Sequence, residues 1–179
     1  MEANQCIFCN LATGQIPSKK IYEDELITAI LDIYPANPAH LLVLPKEHKS
    51  IFAQLPKATA ERLGVVAKKL SDVIFKSLRP DGMNIFIANG AIAGQKAPHF
   101  IMHIIPRFQG DGVNFEIAEK EAKKEDIDAL CSRLRKDVLN YFPEQKFEEE
   151  KEEKSVEEKL EEKKKGKNID LDKITEMFG

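Results

Sequence analysis

Hydrophobic positions along this chain follow two different periods. Residues 26–33 are apolar and β-branched almost without interruption, which predicts a central strand ending at Pro35. The apolar run 40–45 predicts the next strand, broken at Pro45, and shorter strands are expected at 20–23 and 84–88. Residues 99–106 read as a further strand, and alternate side chains of a strand share a face. His99, Ile101, His103 and Ile105 therefore point one way, and Phe100, Met102 and Ile104 the other. Over 59–78 the period becomes helical: Leu63, Val66, Leu70, Val73 and Ile74 recur, with Pro56 before and Pro80 after. Ile127, Leu130, Leu134, Val138 and Tyr141 form a second helical stripe over 126–142. A turn is expected at Cys6 and Cys9, and a loop at Gly14-Gln15-Ile16-Pro17 and again between Asn89 and Gly94. Several strands joined by short connections, with the helices set apart, predict an antiparallel α+β domain rather than repeated βαβ units.

The pattern stops at Pro143, which places a domain over 1–143 and a tail over 144–179. Residues 144–167 are almost all Glu and Lys, too polar to offset their ordering entropy by burial. They read as disordered or as a single solvated helix, since Ser155-x-x-Glu158 matches a capping box. Apolar residues return from Ile169 to Phe178, where Leu171, Ile174 and Phe178 suit a short amphipathic motif that docks on a partner protein or folds back on its own domain. A net charge of -3 supplies no cationic field for wholesale nucleic-acid binding. There is no apolar run long enough to span a membrane, and the polar start lacks a signal-peptide pattern. Three cysteines make a poor disulfide framework and fit a reducing, cytoplasmic setting.

Cys6-Ile7-Phe8-Cys9 places two thiols where they can share one metal ion, and zinc needs two further donors. The histidines available are His40, His48, His99 and His103. A redox pair and two thiols that merely pack are the alternatives. Asp32, at the end of an apolar strand, is suited to accept hydrogen bonds from paired hydroxyls, or is simply an exposed strand-terminal acid.

The run Gly94-Gln95-Lys96-Ala97-Pro98-His99-Phe100-Ile101-Met102-His103 resembles the signature of the histidine triad (HIT) nucleotide hydrolases and transferases, and the resemblance extends over nearly all of 1–143. It implies a five-stranded antiparallel sheet with two helices, and a homodimer joined through the helix at 59–78 and an edge strand. The Cys-Ile-Phe-Cys start followed by Gly-x-Ile-Pro resembles a zinc-containing branch, which implies structural zinc on Cys6, Cys9, His48 and His99. Such a site contributes on the order of 10 kcal/mol. For a purine nucleotide, the resemblance implies Asp32 on the ribose and Ile7, Phe8, Ile30 and Ile33 on the base. It implies Asn89, Gly90, Gln95, Lys96 and His103 toward phosphate, with His40 and His103 flanking the catalytic centre.

Three positions depart from the family pattern. Ile101 stands where the nucleophilic histidine would be, Ala88 where a polar amide is usual, and Lys96 where a hydroxyl follows the glutamine. Ile101 has no lone pair with which to form a covalent nucleotidyl intermediate. The expectation is therefore a zinc-stabilised nucleotide-binding protein whose hydrolase or transferase chemistry is lost or very weak. An active phosphoramidate or dinucleoside polyphosphate hydrolase, and a scaffold working through its tail, are the competing expectations.

Overall fold

The computed structural model describes residues 6–147. The tail motif from Ile169 to Phe178 and most of the Glu/Lys-rich run lie outside the described residues. The chain divides into two compact units, Met1–Ile117 and Ala118–Gly179. This division marks where contacts thin out; the boundary at Pro143 marks where composition changes.

The first unit is a five-stranded, wholly antiparallel sheet of β1 (Lys20–Glu23), β2 (Ile27–Leu31), β3 (Leu41–Pro45), β4 (Gly82–Ile87) and β5 (Met102–Arg107), in the order β1-β2-β3-β5-β4. Both faces of its centre are covered, which is why β2 and β3 are apolar along their length rather than alternating. On one face, Ile27 and Ala29 of β2, Leu41 and Val43 of β3, and Met102 and Ile104 of β5 pack against Leu63, Val66, Ala67, Leu70 and Ile74. Those five lie on α2 (Lys57–Leu78); four of them belong to the stripe read from the sequence, whereas Ala67 was not in it and Val73, which was, turns to solvent. On the other face, Ile30, Leu42 and Leu44 pack against Ala12, with Phe8, Leu11 and Ile101 around them.

The last group includes the main departure from expectation. The Cys6/Cys9 segment is a helix, α1 (Ile7–Thr13), with Cys6 at its N-cap and Gly14 closing it at a φ of 83°. The expected sheet and two long helices are present, and this third, short helix replaces the expected turn. Seven residues are too few to hold a helix in water. Tertiary contacts hold it: Phe8, Leu11 and Ala12 against the sheet, and a 2.7 Å hydrogen bond from the buried Thr28 hydroxyl to the Ala12 carbonyl.

The histidine-bearing strand begins later than expected. Residues 99–101 leave the ladder, and the Phe100 N–H donates instead to the Lys49 carbonyl, 2.6 Å away. Alternation still holds through them, since Phe100 joins the α2 side and Ile101 the α1 side. In the second unit, α3 (Lys124–Tyr141) coincides with the expected stripe, and its first turn carries Glu125 and Asp126, which suit the positive end of a helix. Among the described residues no helix is long and apolar enough to cross a membrane.

Candidate functional site

Four side chains from three parts of the first unit converge. Cys6 and Cys9 sit at the start of α1, His48 in the turn after β3, and His99 just before β5. Their donor atoms all lie within 4.8 Å of one another. Cys9 Sγ is 3.2 Å from His48 Nδ1 and 3.5 Å from His99 Nδ1, Cys6 Sγ is 3.6 Å from His99 Nδ1, and the two Nδ1 atoms are 3.4 Å apart. A tetrahedral zinc sets edges of about 3.4 Å between two nitrogens, 3.6 Å between sulfur and nitrogen and 3.8 Å between two sulfurs, so these four spacings are close to those around one ion. The far side of His99 supports the same assignment. Its Nε2 lies 3.2 Å from the Pro45 carbonyl, which makes Nε2 the protonated nitrogen and leaves the Nδ1 lone pair facing the thiols. Burial pushes His99 down to about 4, so its imidazole is neutral at physiological pH, the form in which it could hold a metal ion.

A redox role fits less well. Cys6 does open a helix, where a reactive CxxC would stand, but burial and the adjacent Cys6 push the Cys9 thiol up to about 11. Both thiols are also buried, whereas a reactive thiol sits in a partly exposed setting. The third cysteine, Cys131, lies in α3 of the second unit.

The other two histidines form a separate pair. His40 Nε2 lies 3.0 Å from His103 Nδ1, and the rings are tilted with centroids 5.2 Å apart. His40 Nδ1 accepts the Ala36 N–H at 3.2 Å. We therefore assign the His40 proton to Nε2, where it is donated to His103, and the His103 proton to Nε2. Asp32 Oδ2 is 3.4 Å from His40 Nδ1, beyond a charge-assisted hydrogen bond, and its Oδ1 accepts the Tyr34 N–H. Both imidazoles are held neutral: burial lowers His40 against the pull of Asp32, and burial followed by His40 lowers His103 to about 4.

An unfolded histidine takes up a proton near pH ~6.5, whereas folded His103 resists until about pH 4. Its contribution to stability is complete above the unfolded value and is lost as pH falls toward 4. After discounting for partial exposure, the loss is on the order of 2 kcal/mol. Thermal melts of wild type and His103→Gln should therefore converge as pH falls from about 7 to about 4.5. Parallel curves would refute this assignment.

A clasp that pattern reading missed holds the loop carrying Asp32 and His40. Asn37 Nδ2 donates to the Pro106 carbonyl and to Asp111 Oδ2. The Arg107 guanidinium donates to both Asp111 oxygens, to Asn84 Oδ1 and to the Val113 carbonyl. Its hydrogen bonds hold the Asp111 carboxyl far below the usual carboxylate range. The Asn37 carbonyl accepts the His40 N–H, across Ala39 at a φ of 63°. The available signal was an Arg at a strand end followed four residues later by an Asp between two glycines.

The remaining candidates are placed unevenly. Phe8, Ile30 and Ile101 share the apolar cluster under α1, whereas Ile7 and Ile33 are exposed. Gln95 ties its own loop to the segment after β3: Oε1 accepts the Gly90 N–H, and Nε2 donates to the Ser50 and Ala97 carbonyls. Asn89 Oδ1 accepts the Phe52 N–H, and Lys96 is exposed. Phe86, unremarked in the sequence, lies across from His103 in the ladder with its ring 5.9 Å away.

The HIT domain family matches residues 13–110, more than half of the chain. The chain belongs to the HIT family. An uncharacterised HIT-like protein of Methanocaldococcus jannaschii is 41% identical over 130 residues, spanning 73% of this chain and 98% of that relative. The adenosine 5'-monophosphoramidase of Schizosaccharomyces pombe is 37% identical over 102 residues, or 57% of this chain and 74% of the enzyme. Among solved structures, a Zn-bound histidine triad family protein of Mycobacterium smegmatis superposes with a TM-score of 0.59 at 31% identity, covering 75% of this HIT protein and 99% of that chain. The family match begins at residue 13, so Cys6 and Cys9 of this HIT protein lie ahead of it.

Proposed function

We propose that this HIT protein is a zinc-stabilised, purine-nucleotide-binding module whose hydrolytic chemistry is lost. The observation that carries the reading is Ile101. It stands between two histidines on the α1 face, packed with Phe8 and Leu11 against Ile30, Leu42 and Leu44, while the flanking His40–His103 pair and Asp32 remain assembled beside it. Zinc on Cys6, Cys9, His48 and His99 is supported by the spacing of the four donors and by the Zn-bound relative. When bound, the ion ties α1 to the ends of β3 and β5. Asp32 accepts the ribose hydroxyls, Ile7, Phe8, Ile30 and Ile33 face the base, and the loop 89–96 borders the phosphate. AMP should raise the melting temperature of wild type by a few degrees, and Asp32→Ala should cancel the rise. No shift with any purine nucleotide would remove the reading.

An active hydrolase is the competing reading. It is favoured by the relative that is an adenosine 5'-monophosphoramidase. Turnover of an adenosine phosphoramidate that His103→Ala abolishes would select it. The same proposal includes a cytoplasmic homodimer. Exposed Val65, Val73, Phe75 and Leu78 on α2 and Ile85 on the edge strand β4 support the dimer, and sedimentation at twice 20.3 kDa checks it.

A further inference from the structure

We infer that Asn37, backed by Asp111, is a positioning residue that fixes which nitrogen of His103 carries the proton. The outward edge of that ring is thereby made a hydrogen-bond donor for an anionic oxygen of the ligand. The inference rests on the nucleotide-site reading above for the identity of that ligand. Its basis is His40 Nδ1, which has two neighbours that make opposite demands. The Ala36 N–H, 3.2 Å away, can only donate and requires a bare nitrogen. The Asp32 carboxylate, 3.4 Å away, can only accept and draws a proton onto the same atom. A neutral imidazole satisfies one of them. With Nδ1 bare, the His40 proton sits on Nε2, is donated across 3.0 Å to His103 Nδ1, and leaves His103 protonated on Nε2. With Nδ1 protonated the pair reverses: His103 donates from Nδ1, and its Nε2 turns a lone pair toward the ligand. Among the described residues only the Nδ1 of His103 is engaged, and the ring is half-buried, so Nε2 is the end left for a ligand.

Ala36 favours the first arrangement only while its N–H is aimed at the ring, and that aim comes from its neighbour. Asn37 is buried and gives away both hydrogens of its amide, to the Pro106 carbonyl at 2.9 Å and to Asp111 Oδ2 at 2.7 Å. Pro106 lies three residues beyond His103 on β5, so this amide fixes the turn that holds Ala36 against the strand that carries the second ring. The Asn37 carbonyl also takes the His40 N–H at 3.1 Å, which fixes the backbone of the first ring. Between them Ala39 has a φ of 63°, uncommon for a residue with a side chain, so the turn relies on its anchors. Asp111 is a firm anchor. Arg107 donates to both its oxygens at 2.7 and 2.9 Å, and the Phe108 and Val113 N–H groups donate to them as well. Freed of Asn37, the turn would let the Ala36 N–H swing to water, and the carboxylate of Asp32 would decide the position of the proton.

Nitrogen NMR of the full-length chain at neutral pH, without ligand, tests this, because ring-nitrogen shifts separate protonated from bare nitrogens. In wild type, His40 and His103 should both carry the proton on Nε2. Asn37→Ala should shift both rings together toward the Nδ1 form. Adding Asp32→Ala to Asn37→Ala should return them to the wild-type form, since the carboxylate that draws the proton is gone. Asp111→Asn, which keeps the shape and drops the charge, should shift both rings the same way by a smaller fraction. Asn84→Ala removes a contact of Arg107 but none of Asn37, and should leave both rings unchanged even where it lowers the melting temperature. Wild-type shifts in folded Asn37→Ala, or equal shifts in Asn84→Ala, would overturn the inference. A wild-type His103 protonated on Nδ1 would overturn it without any variant. Titration with AMP then reads the donor: Asn37→Ala should bind it about tenfold more weakly, through loss of one hydrogen bond to a charged oxygen. Reversed rings with unchanged AMP affinity would refute the donor role. If wild type binds no purine nucleotide, the nucleotide reading is gone, and the ring shifts still decide whether Asn37 positions the pair.

Discussion

Removal of zinc is expected to lower the melting temperature of this protein by at least ~10 °C, given structural-zinc contributions on the order of 10 kcal/mol and a few degrees per kcal/mol. The size of the effect comes from what the four ligands do for α1. That helix has seven residues and no side-chain cap, and its own propensity cannot maintain it. Without an ion, two thiols and two imidazole nitrogens crowd into one spot, with the Nδ1 atoms of His48 and His99 facing each other at 3.4 Å. Loss of order in α1 would uncover Ile30, Leu42 and Leu44, three core side chains of the central strands. Cys9→Ser should reproduce the chelated state, since a hydroxyl is a poor ligand for zinc. Metal analysis should find one zinc per chain in wild type. Melts insensitive to chelator, from a preparation free of metal, would falsify the zinc assignment.

Ile101→His is expected to raise turnover of an adenosine phosphoramidate at least ~100-fold above the wild-type background, the low end of what a positioned side chain contributes. The substitution places an imidazole on the α1 face between His99 and His103. Position 101 is half-buried among Phe8 and Leu11, a setting that keeps imidazole neutral and therefore nucleophilic. The exchange loses apolar packing worth about 1–2 kcal/mol, which melting would register as a modest drop. Unchanged turnover in a folded variant would shift responsibility to Ala88 and Lys96, and Ile101→His combined with Ala88→Asn would then be the deciding measurement. Wild-type turnover comparable to that of the variant would sink the impairment proposal.

What could be read from the sequence follows from which interactions are local. The runs 26–33 and 40–45 announced central strands because both faces of the sheet are buried there. The stripe from Leu63 to Ile74 announced α2 because one helical face meets the sheet. Cys6 and Cys9 were legible as a thiol pair because zinc accepts few residue types, whereas the choice of His48 and His99 among the four histidines came from the resemblance to the zinc-containing HIT branch. The shape of the segment bearing two of them could not: α1 exists because Phe8, Leu11 and Ala12 find Ile30, Leu42 and Leu44 far along the chain. Gln95 was expected to face a ligand, and only coordinates reveal that its amide is engaged with Gly90, Ser50 and Ala97. The Asn37–Arg107–Asp111 clasp was missed for the same reason, since partners up to 74 positions apart have no periodic signature.

The position of α1 has a practical side. In the proposed zinc site one face of this helix begins a metal chelate, and its apolar residues roof the patch that contains Ile101. Ion loading and the shape of that patch therefore belong to a single equilibrium. A preparation made under zinc starvation would hold two populations, melt in two steps and return an averaged affinity belonging to neither. Metal content should accordingly be assayed on the same sample as every ligand titration.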